Sequence, residues 1–158
     1  MKTHDPVKIR GMFRVQIEED GKIVGDSGWK PNQVTNLGIR EYLVHAIIGN
    51  SPLTVSHMTL GTGGAPASNA TVQAGELTHT SNARVAVTTS VVASGTAQFA
   101  GTISSANSFV TATANISNIG LWNTSTTAGG TLFAGNTFAS SALATNQNVN
   151  MTYQVRFA

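Results

Sequence analysis

Cysteine is absent from this chain, and charge is scarce over most of its length. The absence of cysteine excludes disulfide bonds and thiolate chemistry, so stability must come from packing and from partners. The chain has nine Lys and Arg and seven Asp and Glu, but only three of these follow Glu41: Glu76, Arg84 and Arg156. Because a monomer usually stays soluble through charges on about a quarter to a third of its surface, this distribution favours a structural protein that packs among copies of itself over a freely diffusing enzyme.

The chain also lacks any apolar stretch long enough for a signal peptide or a membrane span. We therefore expect synthesis in a cytoplasm and no membrane association. Its 158 residues fit a single domain, 1–158, and a hydrophobic content of 41% with a net charge of +2 is typical of a folded chain. The pI near 9.3 reflects an excess of only two positive charges, so we expect no direct nucleic-acid binding.

Alternation of apolar and polar residues predicts a strand at each end of the chain. The first strand covers residues 10–18, and the last covers residues 149–157. Asp20-Gly21 suits the tight turn of a hairpin, and residues 22–24 can return as its second strand. The apolar positions of the first strand are Phe13, Val15 and Ile17.

A helical pattern occurs once, and it predicts one short α-helix near residues 36–48. Thr35 or Asn36 can cap its N-terminus, and Gly49 stands where a helix usually stops. The spacing of the apolar residues predicts one buried face. That face would consist of Ile39, Leu43, Ala46 and Ile47.

The remaining pattern is all β and predicts an antiparallel β-sandwich or a jelly-roll-like fold. We expect residues 84–92 to form a strand buried on both faces, turned at Ser94-Gly95 into a strand over 97–103. Further strands are expected near 55–60, 111–122 and 131–138. Few charges protect the edges of these strands, so we expect oligomer contacts to cover them.

Residues that could carry chemistry are few, and we predict neither enzymatic activity nor a cofactor or metal. The four histidines have no spacing typical of metal ligands. Glu76 is the one acid after the helix, and we expect it to pair with a base such as Arg84 or to face solvent. Gly61-Thr62-Gly63-Gly64 lacks the Lys-Ser/Thr of a phosphate-binding loop, so turn chemistry explains it better.

Positive charge gathers near the N-terminus, where only Asp5 opposes the cations before residue 18. We expect residues 1–31 to act as a docking arm or a hairpin that meets an acidic protein surface. The candidate partner-binding residues are Lys2, Lys8, Arg10 and Arg14.

Several short motifs, spread over nearly the whole chain, resemble those of tailed-bacteriophage virion proteins. They begin with an N-terminal hairpin, followed by Asn32-Gln33-Val34-Thr35-Asn36-Leu37-Gly38 and then Met58-Thr59-Leu60-Gly61-Thr62-Gly63. Ile116-Ser117-Asn118-Ile119-Gly120-Leu121-Trp122-Asn123, Gly129-Gly130-Thr131-Leu132-Phe133-Ala134 and an alternating final strand resemble that group's usual ending. Members often carry an acid near the position of Asn118, where this chain has an amide.

This resemblance implies a non-enzymatic component of a phage particle made in the host cytoplasm. The short chain without a shaft favours a capsid decoration, or cement, protein on the exterior of the head. Its partners would be the major capsid protein and copies of itself, as a dimer or trimer. The alternative is a tail, fibre or baseplate component that recognises a host surface through the loops 66–74 and 123–130, with Trp122 as the nearby aromatic.

Overall fold

The computed structural model describes residues 8–77, 84–107, 112–127 and 129–158. It is mainly β, with 54% strand, one short helix of 11 residues and an antiparallel, nearly closed barrel-like sheet. The predicted fold class is therefore confirmed. The strands are β1 Ile9–Glu19, β2 Lys22–Asp26, β3 Lys30–Val34, β4 His57–Gly61, β5 Val85–Ala86, β6 Thr88–Ala93, β7 Thr96–Ile103, β8 Ala114–Trp122, β9 Leu132–Leu143 and β10 Asn148–Phe157.

The strands are hydrogen-bonded in the order β5-β4-β8-β9-β3-β1-β10-β7-β6, and β2 pairs with β1 outside this path. Strand β3 links the two halves of the sheet, because residues 30–32 pair with β1 and residues 33–34 pair with β9. The two ends of the order, β5 and β6, are separated in the chain by Val87 alone. The sheet therefore curls round until its first and last strands are neighbours.

The first hairpin forms as predicted. Asp20 and Gly21 both adopt positive φ, 50° and 75°, which is the geometry of a two-residue turn between antiparallel strands. Strand β1 is paired with β10, β2 and β3. Residues 9–26 are therefore built into the sheet as a hairpin and do not form a separate docking arm, while residues 1–7 lie outside the described part.

The core lies between the two halves of the sheet. The inward positions of β1 and β10 alternate with outward polar ones, as their sequence patterns predict, and β4, β8 and β9 supply the opposite side. Burying a large apolar side chain contributes about 1.5–3 kcal/mol, so these positions dominate stability. Fully or nearly fully buried side chains include Phe13, Val15, Ile17, Leu60, Ile119, Trp122, Met151 and Tyr153.

The helix α1 runs through Gly38–Val44, wound as a π-helix, and ends with the α-helical turn His45–Ile48. Its predicted cap is confirmed, because the Thr35 hydroxyl accepts a hydrogen bond from the backbone N–H of Gly38 at 2.8 Å. Gly49 ends the helix in the left-handed conformation, with φ of 67°. The predicted stop is therefore also confirmed.

The predicted buried face of this helix is wrong in part. Leu43 packs against the core, but Ile39 and Ile47 are 39% and 84% exposed. Gly38 and Tyr42 are buried instead, and the Tyr42 ring packs edge-on against Phe133 with centroids 4.9 Å apart. The π-helical winding changes the angular spacing of side chains, so a pattern based on 3.6 residues per turn misplaces the face.

The predicted set of strands needs three corrections. Strand β6 is exposed at all six positions because it lies at the end of the sheet, so the expected burial of 84–92 on both faces is wrong. Strand β9 extends to Leu143, five residues beyond its predicted end. Strand β3 was not predicted, since Lys30-Pro31 interrupts any alternation; it pairs with β1 through Asn32 and passes to β9 from Gln33 onward.

Candidate interaction surface

The structure separates the predicted partner-binding cations. Lys2 lies outside the described residues. Lys8 is exposed, and its backbone pairs with that of Ala158. Arg10 and Arg14 are four residues apart on the outward side of β1, yet their surroundings differ. Only Arg14 has an acidic partner.

Arg14 is neutralised by Asp26 on the neighbouring strand β2. The Arg14 Nε donates to both carboxylate oxygens of Asp26, at 3.0 and 3.2 Å, and Nη2 donates to Oδ2. The backbone N–H of Gly28 and the side chain of Gln16 also donate to this carboxylate. The Arg14 hydrogen bonds, with smaller contributions from Gly28 and Gln16, lower the pKa of Asp26 from 3.8 to about 2. Arg14 is thus a weaker candidate for binding an acidic surface of another protein than its position in the sequence indicates.

Replacement of Asp26 by Asn should reduce the sensitivity of the fold to acid. Because the folded pKa is depressed, the ionised carboxylate stabilises the fold above its unfolded pKa of 3.8, and this contribution is lost as the pH falls toward about 2. We expect the urea midpoint of the wild-type protein to fall more steeply than that of Asp26→Asn between about pH 4 and pH 2. Asp20→Asn, which removes a turn carboxylate without a described ion pair, is the matched control; equal slopes for all three proteins would contradict the prediction.

Arg10 lies directly opposite another arginine. In the register of β1 and β10, Arg10 pairs with Arg156 and Met12 pairs with Gln154. Both arginines are exposed, and within the described residues neither side chain makes an ion pair or hydrogen bond. Like charges in this cross-strand position repel one another. Arg156 was not predicted, since only the pairing of strands far apart in sequence places it beside Arg10.

The two arginines flank a groove of about 320 Å³ on the outer face of the sheet. The bulge in β6 between Val91 and Ala93 forms part of its wall. The other lining residues are Met12, Val92, Thr96 and Gln154. We name this site, with Arg10 and Arg156, the arginine groove; it presents two guanidinium groups beside apolar surface, which suits a carboxylate carried next to apolar atoms.

From the edge of the groove onward, the outer face of β10 and β7 is covered mainly by uncharged polar side chains. Gln154 donates to Gln98 at 2.9 Å, and Thr102 donates to Asn150 at 2.8 Å. Both contacts join β10 to β7. These side chains are uncharged and satisfy one another's hydrogen bonds, so this face can approach another surface closely without removing many charges from water.

The end of β1 opposite the groove is acidic. Asn150 donates to Glu18 at 2.9 Å, while Gln147 and Asn146 donate to Glu19 at 2.9 and 3.0 Å. The hydrogen bonds from Gln147 and Asn146 lower the pKa of Glu19. Glu18, Glu19 and Asp20, which we name the acidic end, have no ion pair among the described residues.

Glu76 and Arg84 meet inside the protein, which confirms their predicted pairing. Arg84 Nε and Nη2 donate to the Glu76 carboxylate at 2.6 and 3.0 Å, and the Arg84 side chain is fully buried. The guanidinium lies over the Trp122 ring at 3.5 Å from its centroid. Arg84 Nη1 also donates to the carbonyls of Thr124 and Gly129. This cluster joins three chain segments and is closed to a ligand.

Asn118, the position at which the resembling family often has an acid, belongs to a second buried network. Its Nδ2 donates to the carbonyls of Gly64 and Ala74, and its Oδ1 accepts from Gln73 at 2.6 Å. An amide can both donate and accept, whereas a carboxylate can only accept. The amide therefore fits the two carbonyls, and Asn118 holds the loop after β4 against β8.

The described histidines lie in different surroundings. His57 contacts the hydroxyl of Ser56 at 2.8 Å, and partial burial, aided by the positive charge of Arg84, lowers the pKa of His57. His45 faces Glu41 one helical turn earlier. In the described ranges no three His, Asp or Glu side chains lie close enough to hold a metal ion, and His4 and His79 fall outside those ranges.

An apolar hollow of about 170 Å³ opens between the helix and the ends of β7 and β10. Leu43, Phe99 and Phe157 are among the residues that line it. Phe157 is 40% exposed, so the hollow reaches the surface. No described helix has the length and apolar character needed to cross a membrane.

The exposed arginine groove, the uncharged outer face and the acidic end are thus arranged along one side of the protein, and they offer binding contacts. The two buried polar clusters hold the loops that follow β4 and β8. Comparisons of the chain with protein-family models, with curated proteins and with solved structures found no match.

Proposed function

We propose that the protein is a non-enzymatic structural protein of a phage virion, which decorates the assembled head and stabilises it by bridging capsid subunits. The observation that carries this proposal is the near absence of exposed charge from the described residues after Glu41. Among the described residues after Glu41, Arg156 is the one exposed formal charge, because Glu76 and Arg84 form a buried pair. Such a surface resists close packing with neighbours far less than the charged surface of a typical monomer.

The free edge of the sheet also supports a protein that works in contact with others. Strand β6 pairs with β7 on one side, and all six of its residues are exposed, including Val91 at 82%. Of the features that usually prevent an edge strand from pairing with another chain, it has one bulge, between Val91 and Ala93, but neither charge nor proline. Contacts in an assembly would cover this edge.

The proposed mechanism is mass action. A protein that binds the assembled shell and not its separated subunits stabilises the shell by the free energy of binding. Repeated over many copies, this binding would oppose the outward pressure of packaged DNA. We assign docking to the N-terminal segment that carries Lys2 and Lys8, since Arg14 is neutralised by Asp26 and Arg10 belongs to the arginine groove.

The location is tested by mixing the labelled protein with separated heads and tails of the phage that encodes it, followed by electron microscopy. We expect regular labelling over the surface of the head. Label confined to tail tips or fibres would overturn the decoration role and support the alternative, host recognition. That alternative lacks the aromatic stacking surface expected of it, because Trp122 is only 1% exposed. A chain that labels neither part would overturn the proposal.

A deletion of residues 2–7 tests the docking segment. It leaves Lys8 and all of β1 in place, so the fold and its circular dichroism spectrum should be retained while labelling of heads is lost. The matched control is Lys30→Glu, which removes an exposed cation from β3. Wild-type labelling by the deleted protein would contradict docking through this segment.

A further inference from the structure

Among the described residues, most of the charges that lack an ion-pair partner are segregated to opposite ends of one face. Within the described residues, Arg14, Arg40 and Arg84 make ion pairs with Asp26, Glu41 and Glu76. The cations Lys8, Arg10 and Arg156 remain at one end of β1 and β10, and Glu18, Glu19 and Asp20 remain at the other. Lys22, opposite Glu19 in the hairpin, offsets part of the acidic charge, and Lys30 lies between the ends.

This arrangement matches itself under a two-fold rotation. Arg10 and Glu18 are both outward positions of β1, eight residues apart, which is roughly 27 Å along a strand. Consider a two-fold axis that lies between the two faces, perpendicular to β1, and crosses it near Arg14. This axis places Arg10 of one copy over Glu18 of the other, and Glu18 over Arg10. Each contact therefore occurs twice, as in any isologous interface.

The middle of the face is compatible with this pairing. Arg14 lies near the axis and would approach its own copy, but Asp26 neutralises it. The rows between carry Met12, Gln154 and Gln98 on one side of the axis and Gln16, Asn150 and Thr102 on the other. No unpaired like charges meet there, so charge complementarity alone selects the orientation.

We propose that the arginine groove binds the acidic end of a second copy of this chain, so that two copies pair face to face about this axis. The Glu18 carboxylate of one copy would lie between Arg10 and Arg156 of the other and relieve their repulsion. Met12 and Val92 would cover its methylene groups. The pairing is independent of docking to a shell, since it uses the copies of the protein alone.

The pair should be weak and sensitive to salt. The face from Arg10 to Glu18 across four strands covers roughly 400 Å², which is about half of the 800 Å² or so that each partner contributes to a standard stable interface. We therefore expect a dissociation constant of about 10 μM or weaker. High local concentration, as on a particle surface, would make such a contact effective.

The test is sedimentation of the full-length protein at about 50 mM and about 500 mM NaCl. We expect a reversible monomer and dimer equilibrium in which the dissociation constant rises by about tenfold or more at high salt, because exposed charge pairs are screened. Arg10→Glu and Glu18→Arg should each weaken the dimer by about tenfold or more, since each creates two repulsive contacts. Arg40→Glu, which changes an exposed charge on the helix and not on this face, should leave it unchanged.

Mixing the two variants supplies the decisive result. One Arg10→Glu chain and one Glu18→Arg chain form two attractive contacts across the same axis, so the mixture should dimerise with about the wild-type affinity although neither variant does so alone. Circular dichroism checks that both variants are folded. A wild-type protein that stays monomeric at about 1 mM, a mixture that fails to dimerise, or association that continues beyond dimers would each overturn the proposal.

Discussion

Replacement of Arg84 by Met should lower the free energy of unfolding by about 3–5 kcal/mol, because it leaves the Glu76 carboxylate in the interior without its partner. The guanidinium makes two bonds to Glu76, two to backbone carbonyls and a stacking contact with Trp122. Met can cover the ring but cannot replace the bonds. Urea denaturation followed by circular dichroism measures the loss.

Two further variants show whether the buried charge causes this loss. The double variant Arg84→Met/Glu76→Leu should be more stable than Arg84→Met alone, since removing both members of a buried pair avoids an uncompensated charge. Arg156→Met makes the same substitution at an exposed position and should change stability by less than about 0.5 kcal/mol. A double variant as unstable as the single one would attribute the loss to packing and to the carbonyls instead.

Gly38→Ala should lower the free energy of unfolding by about 3 kcal/mol or more, at the upper end of the cost of overpacking. A Cβ atom at this position would lie 2.1 Å from the carbonyl oxygen of Phe133. That oxygen also accepts a hydrogen bond from the backbone N–H of Thr35 at 2.9 Å, so neither backbone can move away without breaking the junction between helix and sheet. Thermal and urea denaturation both measure this cost.

Gly64→Ala is the matched control for that substitution. A Cβ atom at Gly64 meets no atom within 4 Å, so its stability should stay within about 0.5 kcal/mol of the wild type. A similar loss in both variants would show that the clash with Phe133 is not its cause, since an effect of Ala on the unfolded chain alone would stabilise the fold. A stable Gly38→Ala protein would show that the helix can shift away from β9.

Local patterns predicted the elements whose environment is set by neighbours in sequence. The alternation in β1 and β10, the Asp20-Gly21 turn and the Thr35 cap depend on residues a few positions apart, so they could be identified directly. The buried face of the helix could not, because π-helical winding and packing against Phe133 override the ordinary helical period. Strand β3 escaped prediction because its two short pairings come from different partner strands.

The candidate interaction surface shows the same division. Lys8, Arg10 and Arg14 were visible as a cationic run, but their different roles depend on strand register. Asp26 reaches Arg14 across a hairpin, whereas Arg156 reaches Arg10 across a pairing of the first strand with the last. No local pattern specifies which residues of two distant strands will face one another.

The sequence by itself determined that this protein is mainly β, that it has one short capped helix and that its charge lies almost wholly in the first quarter of the chain. Those properties follow from residue types and local spacing. Only the tertiary structure decided that Glu76 and Arg84 are removed from the surface, that Arg14 is neutralised and that Arg10 shares a groove with Arg156. The reason is physical: the electrostatic environment of a side chain depends on groups within a few ångströms of it, and in this sheet those groups come from strands at opposite ends of the chain.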